Sequence, residues 1–361
     1  MFIYVYVYYR HFFIYYRIYF ATLINIKGFE TVYFYLTKPT KIMKKHSRLN
    51  WDFKSTALAL ALGFGLVACS DDDDQPPIVE SNTIVDVASD NTQFSTLVAA
   101  VDQAGLVATL SSDGPFTVFA PTNDAFGEFL SDNNLSAEQL LGDPNLELIL
   151  TYHVVGSSVS SSEVSPGRVN TVADFPFFVS ESPNGTLWIN GSARIINTDI
   201  QASNGIIHVL DYVITPPTQN IAEIATSLAE GEEPEFTQLV AALVRADLVD
   251  AFIGGFDDDL TVFAPTDAAF EALYEALDVN GVDEIELELL TNVLLYHVVP
   301  ARAFSQDLRE GASLPTLLEG QNLTVDLANL RINESGLVPS LLNVHATNGV
   351  IHVIDSVLLP E

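Results

Sequence analysis

Thr117-Val118-Phe119-Ala120-Pro121-Thr122 decides the reading of this chain, because the sequence writes it twice. It returns as Thr261-Val262-Phe263-Ala264-Pro265-Thr266, 144 residues further on. The same offset carries Tyr152-His153-Val154-Val155 onto Tyr296-His297-Val298-Val299. It also carries Asn204-Gly205-Ile206-Ile207-His208-Val209-Leu210-Asp211 onto Asn348-Gly349-Val350-Ile351-His352-Val353-Ile354-Asp355. Three separated blocks in one register mean two copies of one unit. A period this long is too large for a solenoid and suits tandem globular domains.

The blocks resemble those of the fasciclin (FAS1) family, whose domains carry a T-V-F-A-P-T-x-x-A-F box near the front, a Tyr-His dipeptide in the middle and an N-G-x-I-H-x-x-D box at the end. Both copies match all three in order, and the resemblance covers residues 83 to 360. It implies an extracellular adhesion or matrix-contact module. It also implies partner contacts around the Tyr-His box, which here marks Tyr152, His153, Tyr296 and His297, with no Arg-Gly-Asp tripeptide beside them.

Local pattern agrees with an α+β unit. Thr83 can cap a helix through Ile84, Val85 and Val87, and Phe94, Leu97, Val98 and Val101 form one apolar stripe ended by Gly105. Phe116 to Phe119 reads as a buried strand, followed by a helix that Thr122, Asn123 or Asp124 can cap. After Tyr152-His153 come short strands near Arg168–Val172, Phe177–Ser180, Thr186–Ile189, Ala193–Asn197 and Ile206–Ile214, with hairpin signals at Asn184-Gly185 and Asn190-Gly191. Helices first and strands afterwards give a strand-rich core flanked by several short helices. Gly205 and Gly349 are expected to supply the positive-φ residue of a turn. The stripe recurs from Phe236, and Pro216-Pro217 reads as a short stiff spacer between two independent beads.

Charge divides the chain. The net charge is −32, yet residues 1–68 hold nine of the fifteen Lys and Arg. The remainder carries six Arg, no Lys and 45 acids. Such a surface repels phosphate backbones and excludes nucleic acid as a partner. The acid runs Asp257-Asp258-Asp259 and Asp278-Val279-Asn280-Gly281 lack the ligand spacing of a calcium loop.

Residues 1–42 read as a spurious upstream extension, with translation starting at Met43. Residues 43–68 then form a signal peptide, with Lys44, Lys45, Arg48 and Lys54 ahead of the apolar stretch Thr56 to Gly65. Leu66-Val67-Ala68-Cys69 resembles a bacterial lipoprotein box, which implies lipidation of Cys69 and a membrane anchor. Cys69 is the single cysteine, so no disulfide forms within the chain and no disulfide-linked partner is expected. Ser70 and Asp71–Asp74 resemble a surface-export signal, and residues 69–82 form an acidic, Pro-containing linker.

Five histidines follow Cys69: His153, His208, His297, His345 and His352. Four of them are equivalent pairs, and no nucleophile elbow, phosphate loop or H-E-x-x-H accompanies them. They read as core histidines whose ring nitrogens pair with backbone or carboxylate groups, so the sequence calls for no catalytic residue, metal or cofactor. His345, with Gln201 in the other copy, reads as exposed. The expectation is two tandem FAS1 domains, at 83–216 and 218–360. They would belong to a non-enzymatic outer-membrane lipoprotein on the cell surface that contacts polysaccharide, protein or neighbouring cells. A carrier of a small lipophilic ligand is the second reading, and it requires an apolar cavity on the order of a few hundred Å³.

Overall fold

The computed structural model describes residues 82–360, which lie within one compact unit. The leader, Cys69 and the acid run after it fall outside the described residues.

The first copy opens with α1 (Ile84–Ser89), capped reciprocally: Thr83 Oγ1 accepts from the Asp86 N–H, and the Asp86 carboxylate accepts from the Thr83 N–H. A 3₁₀ turn that buries Phe94 leads into α2 (Ser95–Gln103), whose Leu97, Ala100 and Val101 face inward. Its end closes with two bonds, Leu106 N–H to Val101 O and Gly105 N–H to Asp102 O, with Gly105 at φ 71°. After α3 (Val107–Leu110) comes β1 (Phe116–Pro121), buried over almost its whole length. Thr122 then caps α4 (Asn123–Asp132). Two further helices, α5 (Ala137–Leu141) and α6 (Leu146–Tyr152), bring the chain back to β2 (Val154–Val155) beside β1. The remaining strands are β3 (Gly167–Asn170), β4 (Pro176–Glu181), β5 (Leu187–Ile189), β6 (Ala193–Ala202) and β7 (Gly205–Leu210).

The sheet order is β2-β1-β7-β6-β5-β4-β3. Only β1 and β7 pair in parallel, from Phe116 opposite Gly205 to Pro121 opposite Leu210. The twofold period of β1 separates two cores. Val118 and Ala120 face the helices, with Phe94, Leu97, Phe126, Leu150 and Ile207. Phe119 faces the other way, into a cluster with Tyr152, Phe177, Ile189 and Leu210.

The second copy repeats the plan with α7 (Ile221–Ala229), α8 (Thr237–Arg245), β8 (Leu260–Pro265), α9 (Asp267–Leu277), α10 (Leu287–Tyr296) and β9 (Val298–Val299). Its later strands are β10 (Ser313–Pro315), β11 (Asn322–Asp326), β12 (Arg331–Ile332), β13 (Ser335–Gly336), β14 (Val344–Ala346) and β15 (Gly349–Ile354). Here the sheet divides into β14-β15-β8-β9 and β10-β11-β12-β13, because a loop with a 3₁₀ turn at Pro339–Leu341 replaces the continuous ten-residue β6.

Two expectations change. Gly205 and Gly349 are not among the residues with positive φ. They are glycine because a Cβ would lie 2.1 Å from the Phe116 carbonyl oxygen in one copy and 2.2 Å from that of Leu260 in the other. Pro216 and Pro217 are buried rather than an open spacer, and the two domains pack on each other. The copies also differ at the helix end: where the first has Gly105, the second puts Asp247 at φ 55° in the same closing geometry.

Two substitutions test these points. Gly205→Ala should lower unfolding free energy by more than about 2 kcal/mol, since backbone stands in the way and cannot yield like a side-chain tip. Asp247→Gly should raise it by about 0.5–1 kcal/mol by removing the left-handed penalty. Urea unfolding reads both.

Candidate functional site

The repeated boxes converge on the parallel strand pair of each domain, where their polar side chains hold backbone. In the first domain the Thr117 hydroxyl donates to Ser157 O at 2.7 Å and accepts from the Val159 N–H at 2.8 Å. The Val159 carbonyl takes the Nε2–H of His208 at 2.9 Å, and His208 Nδ1 accepts from the Asp199 N–H at 3.3 Å. In the second domain Thr261 and His352 hold the two ends of Ala303 in the same way, at 2.9 Å each, and His352 Nδ1 accepts from Asn343 N–H. Asn204 Oδ1 accepts from the first amide of α1 and its Nδ2 donates to Leu110 O; Asn348 does the same for α7 and Phe252 O.

The Tyr-His box lies inside. Tyr152, His153, Tyr296 and His297 are at most 3% exposed. Contact with a partner, implied for these four residues by resemblance, is therefore not available to their side chains. The Tyr152 hydroxyl donates to Pro176 O and accepts from Asn190 Nδ2, both at 2.9 Å, and burial raises its pKa. Tyr296 repeats this with Asn322 O and Asn333. His153 Nδ1 faces Ile149 O at 2.8 Å, while its Nε2 accepts from the Ile214 N–H. His297 does the same with Val293 O and Leu358 N–H. With every ring nitrogen facing a backbone group, each imidazole is locked in one tautomer and has no free base to offer. His208 and Asp211 do not act together, since His208 is fully buried and Asp211 is paired with Arg194.

Among the described residues, no group of three or more His, Cys, Asp or Glu is placed to hold a metal ion. The apolar hollow under α1 and α2, and its counterpart under α7 and α8, each have a volume of about 30 Å³, the size of one water and far below a lipophile. A larger cleft of about 450 Å³ opens over Phe119 in the first domain, with a mixed lining that includes Val155, Val164, Glu163 and Arg168.

The two domains meet along a seam that the repeats do not predict. His345, expected on the surface, lies there: its ring sits edge-on to Phe178 (5.8 Å) of the first domain and Phe304 (5.4 Å) of the second. Burial, then the nearby Arg302 charge, pushes its pKa down to about 3. Arg302 is only 3% exposed at its side chain. It is paired with Asp259, donates to the carbonyls of Ala346, Thr347 and Gly349, and lays its guanidinium 4.1 Å from the Phe178 ring centre. Ser180 donates to Asp307, while Gln306 and Asn343 both donate to Gly191 O. The sequence signal for this seam was difference between the copies, whereas the repeated boxes drew attention to identity.

All six arginines of the described residues are tied to protein acceptors: Arg168 to Asp257, Arg194 to Asp211, Arg245 to Val282 O, Arg302 to Asp259, Arg309 to Glu181 O and Arg331 to Glu334. No lysine occurs among them, so the outward charge is overwhelmingly carboxylate.

The chain matches the Fasciclin domain family over residues 92–216 and 234–360 and belongs to that family. Its architecture is two tandem FAS1 domains, each a strand-rich core with several short helices. The protein sll1483 of Synechocystis is 47% identical over 138 residues, which is 37% of this chain and 74% of that protein. Transforming growth factor-beta-induced protein ig-h3 of Sus scrofa is 33% identical over 70% of this chain and 36% of its own length. Human periostin is 30% identical over 72% of this chain and 30% of its own. This chain therefore spans about a third of each of those two animal proteins. Among solved structures, the FAS1 domain pair from the insect cell adhesion molecule Fasciclin I matches at 19% identity and a TM-score of 0.36, covering 75% of this chain and 98% of that one.

Burial holds the pKa values of His153, His297 and His352 at about 4, below the ordinary 6.5. The unfolded chain takes up these protons as pH falls through 6.5, while the folded chain does so only near 4. The histidine contribution to stability should therefore be full above pH 6.5, fall steadily between 6.5 and 4, and level off below. Most carboxylates titrate at the lower edge of that window, so the histidines dominate its upper half. Urea midpoints measured from about pH 7.5 to about pH 5 should decline; a rising midpoint would contradict the assignment.

Proposed function

We propose that the protein is a surface-anchored, non-enzymatic adhesion lipoprotein whose two fasciclin domains contact extracellular polysaccharide, protein or neighbouring cells. The observation that carries this reading is the commitment of the shared polar residues to backbone, which leaves recognition to the surface. Membership of the fasciclin family supports it, since Fasciclin I is a cell adhesion molecule. The ring nitrogens of His153, His208, His297 and His352 all face backbone groups, which argues against catalysis. In this reading Cys69 carries the lipid, residues 69–82 hold the domains off an outer membrane, and many weak contacts from clustered copies sum to avidity. The carboxylate-dominated surface favours partners with cationic or neutral hydrogen-bonding groups over anionic ones. The apolar hollows of about 30 Å³ are too small for the carrier reading, and the cleft of about 450 Å³ over Phe119 has a mixed rather than apolar lining, which weighs against it.

Detergent phase partition and protease shaving of intact cells test it together. The wild-type chain should enter the detergent phase, be shaved from the cell surface, and hold cells to polysaccharide- or protein-coated surfaces. Cys69→Ala should move to the aqueous phase and lose the attachment. Wild-type protein found in the aqueous phase, or attachment equal in both strains, would contradict the proposal.

A further inference from the structure

The seam joins unlike faces of two similar domains. The first domain contributes Phe178 and Ser180 from β4 and Gly191 from the turn between β5 and β6. The second contributes Arg302, Phe304, Asp307, Asn343 and His345. A head-to-tail contact between copies of one unit is not self-complementary; if the outer faces kept it, chains would add end to end into rings or filaments.

The outer faces do not keep it. Matching hydrogen bonds fix the equivalences. Thr117 and His208 hold Val159 as Thr261 and His352 hold Ala303, so Ser158 and Ser160 stand where the second domain has Arg302 and Phe304. Asp199 bonds to His208 as Asn343 bonds to His352, which places Gln201 opposite His345. Asp199 accepts from Ser161, and its carboxylate has no N–H to donate to a carbonyl as Asn343 does to Gly191. The other face is altered as well. The Phe178 N–H bonds to Asn190 and the Thr324 N–H to Asn333, so Thr324 replaces Phe178, Asp326 replaces Ser180, and Glu334 replaces Gly191. That last exchange is decisive, because a Cβ on Gly191 would come within 2.8 Å of both Asn343 and Phe304.

We infer that the Phe178–Arg302–His345 seam is an order-specific lock. It binds the first domain's β4–β5 face to the second domain's Arg302–Arg309 loop as one rigid body, and the residues exchanged at both free faces stop a second copy of the chain from adding to either end. The staples found in both domains set the loops, and the residues that differ choose the partner.

The test uses the full chain in a Cys69→Ser background, with spin labels on Ser131→Cys of α4 and Glu275→Cys of α9. The parent should give one narrow inter-label distance and a monomer mass by light scattering at every concentration. Phe178→Thr with Ser180→Asp, which copies the second domain's own residues and sets a carboxylate against Asp307, should broaden the distance distribution several-fold while circular dichroism is unchanged. A broad parent distribution, an equally narrow one in the double variant, or concentration-dependent growth of the parent would overturn the inference. A variant that loses its circular dichroism would also count against it, since domains held only by the lock should keep their folds.

Discussion

Each domain depends on one pairing between strands far apart in the chain. β1 lies parallel to β7, and β8 to β15, so the first signature box is hydrogen-bonded to the last. This contact joins strands about 90 residues apart, so its loop-closure entropy exceeds that of the local hairpins between them. Gly205 and Gly349 let the backbones meet, and Asn204 and Asn348 bind the start of the first helix to the same corner. Everything else in the domain rests on that corner.

From it, the imidazoles of His208 and His352 extend the order outward. Each ring bridges two separate segments, one through its Nε2–H and one through Nδ1. In the second domain those segments carry Ala303 and Asn343, which flank or form the seam. A buried ring thus sets the position of surface residues that differ between the domains. This separation of roles explains how the same six boxes serve domains with different contacts: the interior is common and the exterior is free to change.

Much of this was legible in the sequence. The duplication, the buried strand from Phe116, the stripe through Phe94 and Val101 and the caps at Thr83 and Thr122 all have local causes, and the structure places them as those causes require. What was not legible depends on long-range approach. A glycine needed because a carbonyl passes close by looks, in sequence, like a glycine needed for a turn. His345 looked like a surface residue because its twin is Gln201, yet the difference arose from Phe178 of the other domain lying over it. Nothing in the local sequence marks Arg302, which three carbonyls and an aromatic face enclose.

The histidines of the boxes are scaffold, each ring fixed by backbone groups, with His153, His297 and His352 held neutral by burial. Nitrogen-15 spectra of the histidine rings test it most directly. His153 and His297 should show the Nδ1–H form and His352 the Nε2–H form, unchanged from about pH 8 to about pH 5.5 and on addition of zinc. A ring that titrates near the ordinary histidine value, or that shifts when zinc is added, would contradict it.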